Sequence, residues 1–172
     1  MHLSPAAVLM GAALIAAPML TGCVSLSRSD TVSTLPADMA ANGRIESIQL
    51  SRGDIKVTPG FDALFKSHVK TKLDACAHGA MPLRLEARID RFDKANPVIT
   101  TVIAGANVLR GEARLIDVAS GRVVGVYHIG HTVVGGRLGI LQMGQAEEQL
   151  SDAFGSELCK QAFAPAAATA VP

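Results

Sequence analysis

"PLRLEARID", residues 82–90, sets the reading of the whole chain. Leu83, Leu85, Ala87 and Ile89 alternate with Arg84, Glu86, Arg88 and Asp90. Successive side chains of a β-strand point to opposite faces, so the stretch predicts a strand with one apolar and one charged face. A sheet of such strands needs an apolar layer on its first face and leaves the second to water.

Just upstream the period changes. In "TPGFDALFKSHVKTKLDACA", residues 58–77, the apolar positions Phe61, Leu64, Phe65, Val69, Leu73 and Cys76 recur every three or four residues. Lys66, Lys70, Lys72 and Asp74 lie between them. This predicts an amphipathic helix introduced by Thr58 and Pro59 and closed by Gly79. "RIESIQLS" (44–51) before it reads as a first strand, with Ile48 and Leu50 alternating.

Downstream, "DVASGRVV" from Asp117 is a turn signal between two apolar-rich runs, which predicts a hairpin. Arg110, Glu112 and Arg114 repeat the mixed-charge alternation, and opposite charges on neighbouring strands contribute about 0.2–1 kcal/mol per pair. A solvated sheet surface is the simplest reading of this polar face, set against a charged ligand site. A last helix is expected over 142–163, with Met143, Ala146, Leu150, Phe154 and Leu158 as its stripe.

The expected order is therefore strand, helix, strand, strand, strand, helix. One apolar sheet face and two amphipathic helices predict an α+β two-layer sandwich, a mixed sheet with both helices on one face. This arrangement, the hairpin and the long last helix resemble periplasmic lipoprotein domains of Gram-negative bacteria. Some of these are similar in fold to the curli-secretion lipoprotein and the N-terminal domain of TolB. No catalytic residue comes with that resemblance.

The N-terminus adds an address. No Asp, Glu, Lys or Arg occurs in the first 22 residues, and "AAVLMGAALIAAPML" (6–20) is small or apolar throughout. A membrane-spanning helix needs about 20 apolar residues; this run has instead the length of a signal-peptide core. An Ala-rich helix buried in a core is the alternative, but it should show a polar face. "LTGC" (Leu20, Thr21, Gly22, Cys23) resembles the lipobox of bacterial lipoproteins. The resemblance implies cleavage before Cys23, acylation of its thiol and new amine, and attachment to the membrane through several acyl chains. Val24 stands where inner-membrane retention often uses Asp, which implies an outer-membrane location facing the periplasm. The expected layout is signal peptide 1–22, lipidated Cys23 and a flexible tether to 43, one domain over 44–163, and a disordered tail 164–172.

Composition narrows the function. The 16 basic and 15 acidic side chains all follow Cys23, a balance that gives no electrostatic reason to expect nucleic acid. There is no Trp, one Tyr (Tyr127) and five Phe, too few for stacking platforms. His128 and His131 are three apart, which on a strand sends them to opposite faces, a poor arrangement for sharing a metal. His68 borders the helix stripe, and His78 lies near the helix end. No Ser sits in a G-x-S-x-G elbow, and no P-loop occurs. Glu147 and Glu148 are adjacent on a helix and diverge, which suits a solvated face. No catalytic residue, metal ligand or cofactor is nominated, and the expectation is a protein that is not an enzyme.

Two stretches are unusually apolar, "NPVITTVIAGANVL" (96–109) and "GHTVVGGRLGILQMG" (130–144). They are either strand ends buried under a helix or an exposed apolar surface, carried by Val133, Val134, Leu138, Ile140 and Leu141, for a partner, a homo-oligomer or lipid headgroups. The expected function is that of an envelope lipoprotein, an accessory or assembly component of a transport or secretion system. It would bind an envelope protein or a second copy of itself. The alternative is a carrier that holds a lipid or other apolar ligand between sheet and helices.

The cysteines complete the picture. With Cys23 lipidated, Cys76 and Cys159 remain in an oxidising compartment. A right-handed crossover and two hairpin turns make both helices run the same way, placing both cysteines at one edge of the domain. Cys159 lies off the Leu150–Phe154 stripe, so a bridge requires the last helix to present its flank or bend. The alternatives are a disulfide or two buried free thiols.

Overall fold

The computed structural model describes residues 24–95, 105–135 and 145–163. Two short strands come first, β1 (Val24–Ser27) and β2 (Asp30–Ser33), then a short helix α1 (Ala37–Asn42). β3 (Gly43–Arg52), α2 (Phe61–Asp74), β4 (Met81–Asp93), β5 (Gly105–Asp117), β6 (Val123–Gly135) and α3 (Ala146–Leu158) follow. The last helix continues as a π-helical turn, Cys159–Phe163.

The sheet is mixed, with strand order β1-β6-β5-β4-β3, and β2 also pairs with β6. β3 and β4 are parallel, joined by α2 as a crossover, while β4, β5 and β6 form an antiparallel meander. Both longer helices cover one face, and the two-layer α+β architecture is the expected one.

The expected alternation holds along β4. Leu83, Leu85, Ala87 and Ile89 are buried, whereas Arg88 and Asp90 are exposed. Leu109, Ala113 and Leu115 of β5 and Tyr127 and Ile129 of β6 extend the same apolar face. Phe61, Phe65, Val69 and Leu73 from α2, with Leu150, Phe154 and Leu158 from α3, pack onto it. Phe65 and Phe154 meet edge to face with ring centroids 5.2 Å apart, a favoured aromatic geometry. These side chains occupy the space between sheet and helices that an apolar ligand would need.

The helices run side by side in the same direction. His68 bonds Asp152, Lys72 lies against Gly155, and Cys76 is joined to Cys159. The disulfide spans Cα atoms 5.9 Å apart and 83 positions in sequence. A π turn holds more residues per turn than an α-helix and so re-phases the side chains. It begins at Cys159, and the last helix thus changes course where the bridge requires it to.

Three expectations are corrected. Residues 24–43 are not a flexible tether: they supply β1, β2 and α1, because their backbone completes the outer edge of β6. The alternation in "VSLS" is only four residues long, too short to stand out as a strand. Helix α2 ends at Asp74 rather than at Gly79. Gly79 instead donates its N–H to the Gly43 carbonyl and lies so close to Asn42 that a Cβ would meet its carbonyl oxygen at 2.1 Å. Finally, the α-helical part of the last helix begins at Ala146; Met143 lies outside the described residues.

The β5–β6 turn is the expected hairpin. The Asp117 carboxylate accepts bonds from the Ala119 and Ser120 N–H groups and from the Ser120 hydroxyl. Gly121 takes the left-handed conformation, φ 68°, that glycine adopts without steric cost.

Candidate functional site

The register of β1 on β6 gives the N-terminal strand two different faces. Val24 pairs with Val134, Ser25 with Val133, Leu26 with Thr132 and Ser27 with His131. Ser25 and Ser27 turn towards the helices. The Ser25 hydroxyl lies 2.9 Å from His131 Nε2, and Ser27 donates to Glu157 Oε2 at 2.6 Å. Lys160 donates to Glu157 Oε1 at 3.0 Å. His131 Nδ1, buried and without a hydrogen-bond partner, is 3.8 Å from that same oxygen.

Burial is the largest single influence on the titration of both groups, but it prevails only at His131. It pushes the His131 imidazole below its ordinary pKa, the Glu157 carboxylate opposing and Lys160 reinforcing the shift. Burial also acts to raise the Glu157 carboxyl, but the Ser27 and Lys160 hydrogen bonds and the nearby positive charge outweigh it, and the net shift is downward. The clasp is therefore a carboxylate facing a neutral imidazole at neutral pH. Further along, Thr31 donates to Gln161 Oε1, and the Leu35 N–H donates to the buried Tyr127 hydroxyl at 2.8 Å. Four side chains, His131, Glu157, Gln161 and Tyr127, thus bind the N-terminal segment to the body of the fold.

A second polar centre closes the other end of α3. Glu147 is buried, not on a solvated face as its sequence context suggested; Glu148 diverges from it and is exposed. Thr58 donates to Glu147 through its N–H at 2.9 Å and its hydroxyl at 2.5 Å, and Lys94 donates at 2.7 Å. Burial raises this carboxyl, the bonds from Lys94 and Thr58 lower it, and the net shift is downward. The group holds the entrance of α2, the end of β4 and the start of α3 together, a structural role.

The helix-free sheet face is polar over most of its area. Glu86 lies between Arg84 (3.3 Å) and Arg114 (4.0 Å), and Arg88 pairs with Asp90 at 2.9 Å. His128 lies between Asp30 and Glu112. Such exposed pairs are worth about 0–1 kcal/mol each, as expected of a solvated surface. At the end of the sheet where β1 begins, the same face becomes apolar: Val24, Leu26, Ala106, Val108 and Val134 lie on neighbouring strands.

The sequence candidates fall into three groups. Cys23, Leu138, Ile140 and Leu141 lie outside the described residues. Val133 turns to the helix side and packs against the core, whereas Val134 lies on the open face beside Val24. Cys76 and Cys159 are brought together. His128 and His131 face opposite sides of β6, His68 bonds Asp152, and His78 bridges to Arg44. The Ser25/Ser27 face of β1 went unread in the sequence, although its alternating valine, serine, leucine and serine carry a faint strand signal.

No family model and no curated protein sequence matches the chain. Similarity appears among solved structures. The PelC dodecamer from Paraburkholderia phytofirmans superposes with a TM-score of 0.53 at 14% identity, covering 83% of this chain and 100% of that one. A point variant of that dodecamer gives 0.50 at 16% identity, covering 81% and 98%. A putative lipoprotein from Caulobacter crescentus gives 0.40 at 14% identity, covering 64% and 84%. At these identities the likeness to PelC is one of fold.

Proposed function

We propose that this protein is a lipid-anchored envelope component that acts by assembling with copies of itself, and through that assembly with an envelope partner. The observation that carries the reading is the sheet with two unlike open edges. Among the described residues, one edge is β3, paired along its length with β4 and met on its other side only at its start by His78 and Gly79; the other is β1 and β2 laid end to end along β6. An unpaired edge is a template for another chain. Contact between two different edges is head-to-tail, and repeats of such a contact close into a ring when the rotation allows. A dodecamer built on the same fold supports that geometry.

The anchor in this reading is Cys23, in the outer membrane and facing the periplasm, with "LTGC" as its support. The protein is non-enzymatic and serves as an accessory or assembly component of a transport or secretion system. Radiolabelled palmitate should enter the wild type and not Cys23→Ser. The detergent-solubilised lipoprotein should sediment as a multimer. A labelled protein that sediments as a monomer at every concentration would remove the assembly half of the reading.

A further inference from the structure

We infer that the open sheet face at the start of β1 is a membrane-contact surface, built to sit on anionic phospholipid. The inference rests on Cys23 being the lipid anchor. β1 begins at Val24, so no slack separates the acylated residue from the sheet: consecutive Cα atoms are about 3.8 Å apart. A strand rises about 3.4 Å per residue, which puts Leu26 about 7 Å beyond Val24. Interfacial apolar groups insert about 5–10 Å into the headgroup and acyl boundary. Val24 and Leu26 therefore stand within that depth, and the two residues are 55% and 49% exposed.

The surface is ordered in rows across the strands. Val24, Val134 and Ala106 form the first row, and Leu26, Thr132 and Val108 the second. Behind them, Arg28 bonds through its N–H to Gly130, which pairs with Arg110. Arg28 and Arg110 line one depression together with Asp30, Asp90 and His128. Its two acids are already engaged, Asp30 by His128 and Asp90 by Arg88. Among the described residues neither Arg28 nor Arg110 has a carboxylate within ion-pair distance. Apolar rows beside the anchor, backed by two guanidinium groups with no ion-pair partner among the described residues, match a bilayer surface with acyl chains first and phosphates next. Guanidinium binds phosphate in a two-pronged fashion. A second copy on the same patch would have to enter the few ångströms between β1 and the headgroups.

The chain contains no tryptophan, so one introduced indole reports on one place. The lipidated Leu26→Trp protein is reconstituted into vesicles of phosphatidylethanolamine and phosphatidylglycerol with brominated acyl chains. Its emission should fall by about half, whereas Val118→Trp, at the far hairpin, should keep its signal. Replacing Arg28 and Arg110 by Ser should reduce the Leu26→Trp quenching to the level seen in neutral phosphatidylcholine. Protein that floats with the vesicles but is unquenched at position 26 overturns the inference and leaves the anchor standing. Protein that takes up no palmitate and does not float overturns both. An indole shielded from bromolipid and from aqueous acrylamide alike means that a second copy covers the patch, which also overturns it.

Discussion

Gly155 of α3 lies against Lys72 of α2 with no room for a side chain. A Cβ at Gly155 would meet the Lys72 Cβ at 2.8 Å and the Val69 carbonyl oxygen at 3.1 Å. Both obstacles are backbone or the root of a side chain, so neither can swing aside. The close crossing also sets up the bridge, because Cys76 and Cys159 each lie four residues further along. Gly155→Val should force the helices apart and destabilise by about 1–3 kcal/mol, the usual cost of overpacking. Thermal unfolding of wild type and variant measures it, and equal midpoints would remove the crossing from the account.

The disulfide makes its own prediction. It closes 83 positions, and the chain-entropy model gives about 4.5 kcal/mol for a loop of that length. Cys159→Ser should lower stability by a large part of that, as should reduction of the wild type. Mass spectrometry after alkylation of the unreduced, denatured protein should find Cys76 and Cys159 unmodified. Two alkylated thiols would restore the free-thiol alternative.

The sequence was most legible where patterns were long. β4 carries four clean alternations, and α2 carries four turns of stripe; both form close to where those patterns place them. The cysteine pair was readable from topology, since a parallel β3–β4 crossover fixes the direction of the helices. The N-terminal strands were not readable, because each is four residues long and gains its stability from partners far away in sequence. Ser27 meets Glu157 of α3 across 130 positions of sequence, and Leu35 meets Tyr127 of β6 across 92. Glu147 was misread for the same reason: a buried carboxylate looks solvated until Thr58 and Lys94 are seen to converge on it.

That carboxylate ties stability to pH. The folded Glu147 pKa lies below its ordinary value of 4.5, so the folded state holds the proton less tightly than the unfolded chain. The resulting stability is fully present above 4.5 and is lost as pH falls through the folded pKa. Glu147→Gln should cost about 1–2 kcal/mol at neutral pH, discounted because Lys94 is partly solvated. It should also flatten the acid limb of the stability curve. Denaturant titrations across the acid range compare the two, and parallel acid limbs would place the proton uptake elsewhere.

The clasp on β1 responds at milder acidity. His131 is held below its ordinary pKa of 6.5 by burial, so as pH drops beneath that value the opened strand takes up a proton before the closed one does. Stability of the clasp is therefore complete above 6.5 and declines until the folded imidazole itself titrates. The groups facing His131 are Ser25, Glu157 and Lys160; the carboxylate limits the loss by welcoming the imidazolium, and the ammonium adds to it. Amide exchange over Val24–Ser27, corrected for intrinsic rates, should be several-fold faster at about pH 5.5 than at about pH 7.5. His131→Gln can still bond Ser25 but cannot charge, and should abolish that difference. Protection of β1 that is equal at both pH values in the wild type would show that the imidazole binds its proton equally in the open and closed strand, and the clasp would then be a fixed strut.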